Sequence, residues 1–306
     1  MRILLTNDDG LRAPGIAAMY EALVDARGEH GGPLRHGGEG EGGARETSDV
    51  VVIAPLTVQS ATSHGVTFHQ PLMTREEQLM FPPRSGGGGG GSASPARSGG
   101  PPKGIAVDGR PADCVKLALT SLWPERFGAG SRPDLVVSGM NAGANVGINV
   151  IYSGTVAAAL EAAFLGVPAI AVSLQIGRRP PRFDVAARYA RRALDVILAE
   201  GLPGRHACLS VNIPVTEEDW EVEGQWPPIR VCPMNTHGLN DKYERRVSPG
   251  GEVYYWAAGN GLDFRGTDTG SDAYWLAQGC ITVTPLIYDL TATAMLEGWR
   301  RRLEGA

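Results

Sequence analysis

Cysteine is scarce in this chain of 306 residues: it has four, Cys114, Cys208, Cys232 and Cys280, and no CxxC pair. Thiols scattered in this way argue against a zinc framework or disulfide scaffold and for buried free thiols in a reducing compartment. No Lys/Arg cluster occurs, and 28 basic against 33 acidic residues leave a net charge of −5, so a nucleic-acid polymer is not an expected partner. No apolar run approaches the roughly 18 residues that a spanning helix needs, so no membrane association is expected. The opening MRILLTNDDG turns acidic at once and has neither the apolar length nor the cleavage site of a signal peptide, which predicts a cytoplasmic protein. The common nucleotide and hydrolase signatures are also missing. There is no GxGxxG after the first apolar run, no GxxxxGK[ST] loop and no GxSxG elbow, which removes dinucleotide, P-loop and α/β-hydrolase readings.

What is present is an alternation of short β-branched runs with helical patterns. Ile3–Thr6, Val50–Ala54, Leu135–Ser138, Ala169–Leu174 and Cys280–Pro285 read as strands. Their near-continuous apolar character is that of strands buried on both faces. Between them, Pro14 opens an amphipathic helix through Ile16, Met19 and Leu23. Asp113–Trp123, Thr155–Leu165 (closed by Gly166 and Pro168), Asp184–Glu200 and Thr291–Leu303 are further helices. The pattern predicts an α/β fold over residues 1–306: a Rossmann-like, mostly parallel sheet with helices on both faces.

Two stretches interrupt the rhythm. Residues 28–48 and 84–102 are rich in glycine, the second with six in a row, and are expected to be flexible surface insertions. The pattern changes again from about residue 225 to 260. Tyr243–Val247 and Val253–Ala257 flank SPGG as a β-hairpin, and Trp220, Trp226 and Trp256 lie in or near it, which suggests an oligomer contact.

The polar clusters fall just after strands. Asp8 and Asp9 follow the first, Ser60 of QSATSH follows the second, and Asn141 and Asn145 of SGMNAGANVG follow the Leu135 strand. If the strands are parallel, all three clusters meet at the carboxyl edge of the sheet, where open α/β sheets bind ligands. Two carboxylates, a hydroxyl and an amide oxygen make an all-oxygen set suited to Mg²⁺ or Mn²⁺ and not to zinc. Without a cation the adjacent carboxylates repel, which raises one pKa. An Asp-Asp-Gly in isolation reads first as a turn or helix cap, and its place directly after a buried first strand turns the reading to a ligand pair. Ser153, Gly154 and Thr155 precede a helix with no charge in its first turn, an arrangement that serves either an anion or simple N-capping. His64 and His237 are acid/base candidates of a type that is more often structural.

RILLTNDDG followed by APGI, then APLTVQSATSHGVT, VVSGMNAGANVG, IYSGTVAAALEAAFLGVPAIAVS and TPLIYDLTA, in that order, resemble the survival protein SurE family. The resemblance runs from Met1 to Ala294 and implies a 5′/3′-nucleotidase that acts on nucleoside monophosphates. It also implies one divalent cation per subunit (Mg²⁺ or Mn²⁺) on Asp8, Asp9, Ser60 and Asn141, with Asp8 and Asp9 catalytic. Phosphate contacts are implied from Asn145 and the Ser153–Gly154–Thr155 loop. So is a homodimer or homotetramer built through the hairpin and an exchanged C-terminal segment. Two positions depart from the family pattern: Ala61, commonly Gly, and Gln59, often basic. Water attack and an aspartyl-phosphate intermediate both remain open. So do a broader acid phosphatase or exopolyphosphatase and a non-catalytic nucleotide-binding protein.

Overall fold

The computed structural model describes residues 1–37, 49–81, 101–216, 226–258 and 261–305. Its centre is strand β1 (Arg2–Thr6), paired in parallel with β2 (Asp49–Pro55) on one side and β5 (Leu135–Ala142) on the other. Beyond β2 lie β4 (Lys103–Val107) and the polar edge strand β3 (Thr74–Gln78). Beyond β5 lie β6 (Ala169–Leu174) and β7 (Cys208–Ile213), then β11 (Ile281–Leu286) and β8 (Ile229–Val231). Strands β4-β2-β1-β5-β6-β7 run parallel; β3 and β11 pair antiparallel to their neighbours, and β8 runs with β11. The chain therefore builds outward from β1 in one direction, returns, and builds outward in the other. This reversal leaves a crevice between the carboxyl ends of β1 and β5.

Pleating divides the buried residues between two layers. Ile3 and Leu5 of β1 enter a core with α1 (Pro14–Val24) and α5 (Phe183–Ile197), whereas Leu4 enters one with α2 (Pro111–Leu117) and α4 (Gly154–Phe164). The helical stretch begun by α2 continues through one π turn, Ala118–Leu122, into α3 (Trp123–Phe127). Strands β9 (Tyr243–Val247) and β10 (Val253–Ala257) form the expected hairpin, exposed at all ten positions. Helix α6 (Asp272–Ala277) precedes β11, and α7 (Thr293–Leu303) ends the described chain with no buried residue. Among the described residues no helix is long and apolar enough to cross a membrane.

Residues 28–37, expected to belong to a flexible insertion, are tied down. Leu34 is fully buried and donates its N–H to the Leu23 carbonyl, and the buried Arg191 of α5 donates to the carbonyls of Ala22 (2.6 Å) and Gly32 (2.9 Å). One leucine and one buried guanidinium hold a segment whose composition alone argues for disorder. The remainder of that stretch (38–48), most of the second (82–100) and Trp220 lie outside the described residues.

The crevice depends on close packing of α1 against β5. A Cβ on Gly15 would lie 2.1 Å from the Met140 carbonyl oxygen, a backbone atom with no room to give. Gly15→Ala is expected to destabilise the fold by about 1–3 kcal/mol, seen as a lowered Tm in thermal melts.

Candidate functional site

The site forms where β1 ends against the N-terminus of α4. Asp8 is buried, and its Oδ1 accepts a hydrogen bond from the Thr155 hydroxyl at 2.5 Å, with the Thr155 backbone N–H also directed at the carboxylate. Ser153 is the N-cap of α4, its Oγ accepting from the Val156 N–H at 3.1 Å. The anion at this helix end is therefore a carboxylate of the chain itself. Gly154 allows the approach: a Cβ there would lie 2.9 Å from the Asp8 Cβ and 3.0 Å from its Oδ2.

Asp9 is half-buried, and its Oδ2 accepts from the Ala142 N–H at 2.9 Å, which ties the end of β1 to the end of β5. Asn141 is the next residue back. Its Nδ2 donates to the Gly143 carbonyl at 2.7 Å, which leaves Oδ1 as the atom to offer a ligand. Ser60 is exposed on a turn fixed from below, since Gln59 donates its N–H to the Asp8 carbonyl at 2.7 Å. Ala61 and Ser63 in this turn have φ of +56° and +53°, a region that suits glycine better than side-chain-bearing residues. Asn145 is buried in a polar knot. Its N–H donates to Asn212 Oδ1 (2.8 Å), its Nδ2 to Ser173 Oγ (2.8 Å), and its carbonyl accepts from Asn212 Nδ2 (3.1 Å).

Burial pushes the Asp8 carboxyl up to about 6, with the Asp9 charge adding to the rise and the Thr155 hydroxyl opposing it. Burial also raises Asp9, against the Ala142 hydrogen bond. Among the described residues no cationic side chain offsets either charge. Among the described residues no group of three His, Cys, Asp or Glu side chains is placed to hold a metal. A cation at this edge would therefore rest on the two carboxylates plus neutral oxygens, for which Ser60 and Asn141 are at hand. Such a set fits a hard, partly hydrated divalent ion.

Sequence reasoning missed the surroundings of Glu161, which projects from the alanine-rich face of α4. It is buried, accepts from His64 Nε2 at 2.8 Å and pairs with Lys116 Nζ at 2.5 Å. A single carboxylate within GTVAAALEAAF was the available signal. His237 pairs instead with Asp268 at an exposed position, at 3.0 Å.

With this geometry in place, comparison with known proteins is decisive. The family described as Survival protein SurE matches residues 41–239. The chain belongs to the SurE family. Relatives named 5′-nucleotidase SurE are similar over nearly the full length. The protein from Syntrophobacter fumaroxidans is 38% identical over 97% of both chains. The one from Rhodopirellula baltica is 38% identical over 97% of this chain and 96% of its own. The crystal structure of the SurE protein from Aquifex aeolicus superposes with a TM-score of 0.69 at 30% identity, covering 99% of both chains.

Two outcomes follow for this SurE-family site. The folded pKa of Asp8 lies above its ordinary 3.8, so the stability it contributes is complete below that pH and is lost as the pH rises through about 6. The loss amounts to about 3 kcal/mol. A cation that requires the ionised carboxylates should therefore raise the Tm of EDTA-treated protein much more at about pH 7.5 than at about pH 5; an equal rise at both would contradict the assignment. Ala61→Gly should relieve the left-handed backbone and raise stability by up to about 1 kcal/mol, measured by denaturant melts.

Proposed function

We propose that the chain hydrolyses nucleoside 5′-monophosphates, and 3′-monophosphates, to nucleoside and inorganic phosphate. One divalent cation per subunit, Mg²⁺ or Mn²⁺, would be held by Asp8, Asp9, Ser60 and Asn141. The observation that carries this reading is the pair of adjacent, uncompensated carboxylates packed against the N-terminus of α4. The relatives that are 5′-nucleotidases supply the nucleotide substrate.

Bound there, the cation supplies Lewis-acid polarisation of the phosphate and acidifies water. The chain's own residues divide the remaining work. Thr155 fixes one oxygen of Asp8, so that carboxylate is a rigid ligand. Asp9, less buried and anchored through one oxygen by Ala142, is placed to orient the attacking water and take its proton. The phosphate lies against the first turn of α4, where Gly154 exposes backbone and the helix dipole favours negative charge. Ser153 and Asn145, held by helix capping and by the Ser173–Asn212 knot, complete its contacts, and Thr155 reaches it through Asp8.

The hairpin and α7 support a homodimer or homotetramer. Tyr243, Tyr255 and Trp256 on the hairpin and Met295 and Trp299 on α7 are all exposed, and a monomer mass in sedimentation equilibrium would overturn this assignment. The four free, buried thiols support a cytoplasmic location, which fractionation of the native host would test.

Purified protein should release phosphate from AMP or GMP with Mn²⁺ or Mg²⁺ and stop on addition of EDTA. Asp9→Asn should lower kcat by about 100-fold or more, and a variant that keeps full activity removes Asp9 from the reaction. A panel of 5′- and 3′-nucleotides, sugar phosphates and polyphosphate separates a nucleotidase from a broader phosphatase. Metal-dependent nucleotide binding without turnover would leave a binding protein only.

A further inference from the structure

The proposed hydrolysis has a requirement that the two aspartates do not meet. When the P–O bond of a nucleotide breaks, the departing oxygen takes the bonding electron pair, and a nucleoside alkoxide is a poor leaving group. A positioned acid lowers this barrier by protonating that oxygen as the bond breaks. Asp8 and Asp9 serve the attacking side in the proposed mechanism.

The first observation is one of place. A cleft of about 930 Å³ is bordered by Ser153 and His64 together with Val150, Leu160, Met234 and Leu286. It shares Ser153 with the phosphate end at α4, and its largely apolar walls suit a nucleoside. A phosphomonoester with its charged group at α4 and its nucleoside in this cleft has its bridging oxygen between them. His64 lines the cleft, and its neighbour Ser63 ties the loop to the approach to α4, donating its N–H to the Tyr152 carbonyl at 3.1 Å and its hydroxyl to the Ile151 carbonyl at 2.7 Å.

The second observation is how the imidazole is held. Its Nε2 meets Glu161 Oε2 at 2.8 Å, and the Glu161 side chain is 5% exposed. Burial pushes the Glu161 carboxyl up, but hydrogen bonds from His64 and Lys116 outweigh it and hold it below its ordinary value. A buried carboxylate fixes the proton on Nε2 and leaves Nδ1 as the working nitrogen. Nδ1 has no partner among the described residues. The other charged groups around this loop have separate tasks: Arg110 packs against Gly65, and Asp113 accepts from the Thr67 N–H and hydroxyl at 2.8 Å each.

We propose that His64 is the general acid of the reaction and Glu161 its positioning residue, an inference that rests on the nucleotidase reading. The protonated imidazole gives its Nδ1 proton to the bridging oxygen as the P–O bond breaks, and the nucleoside leaves as a neutral hydroxyl. The attacking water forms the new P–O bond and loses its proton to the aspartate side. Solvent then reprotonates His64, so protons and charge balance over the cycle.

The test compares AMP with p-nitrophenyl phosphate, whose nitrophenolate leaves without help from an acid. In His64→Gln, kcat on AMP should fall by about 100-fold and on p-nitrophenyl phosphate by less than about 5-fold. The alkaline limb of the kcat–pH profile for AMP should also disappear. Glu161→Gln should show the same substrate split with a smaller loss. Equal losses on both substrates would mean that His64 only braces the Ser60 loop, which overturns the proposal. A wild-type series of aryl phosphates needs no variant: a shallow dependence on leaving-group pKa supports protonation, and a steep one overturns it. Wild-type protein inactive on every phosphomonoester would instead remove the nucleotidase reading, a distinguishable result.

Discussion

The carboxyl group of Asp8 is held where the two halves of the sheet part. It leaves the carboxyl end of β1 and meets the first turn of α4, where Thr155 donates a hydroxyl and Gly154 presents no side chain to obstruct it. Burial makes this an unfavourable place for a charge, and Asp9 beside it makes it worse. A fold does not retain two such groups there for stability, because a hydrophobic pair would serve a sheet end better. Much of the surrounding architecture fixes these two residues: β5 supplies the Ala142 N–H to the Asp9 carboxylate, and the loop after β2 supplies the Gln59 N–H to the Asp8 backbone carbonyl.

Most of this framework was legible from the chain. Ala169–Leu174 appears with the limits its pattern predicts, because a buried β-branched run bounded by proline leaves little choice of structure, and both exposed hairpin strands do so because they flank the SPGG turn. Of the strands that periodicity overlooked, Cys208–Ile213 is a buried run that was passed over, and the other three share a cause. Thr74–Gln78 is a polar edge strand with one face in solvent, and Lys103–Val107 follows directly on a glycine-rich stretch. Ile229–Val231 has three residues, too few to show a period. Pairing with neighbours distant in sequence, rather than local propensity, makes these segments strands.

The position of the candidate site was legible in outline, and one use of its donors stayed open. Parallel strands brought Asp8, Asp9, Ser60 and Asn141 to one edge, as their positions after strands implied. The α4 N-terminus read as an anion site or a simple cap; in the structure Ser153 caps it and Thr155 donates to Asp8, an anion of the chain itself. A helix cap and an anion site use the same donors, so sequence alone cannot apportion them. Glu161 was invisible for a similar reason. A lone acid in an alanine-rich helix reads as a solvated surface residue until the loop carrying His64 and the helix carrying Lys116 close over it.

Charge balance gives the arrangement its logic. In the proposed site two carboxylates carry −2, and a divalent ion that also took neutral hydroxyl and amide oxygens would bring the sum to zero. A third carboxylate would bind the ion more tightly but would leave a net negative site facing a phosphomonoester that is itself a dianion. With the charges cancelled, the positive end of the α4 dipole would face a phosphate without an opposing residual field. The same reasoning explains the separation of the ionic groups. Glu161 keeps its own cations, His64 and Lys116, so its charge is spent locally and does not add to the carboxylates at the sheet edge. A site that handles an anion with acidic residues works only if each of them is neutralised in place: Glu161 has its partners in the fold, and in the proposed site Asp8 and Asp9 would have the cation.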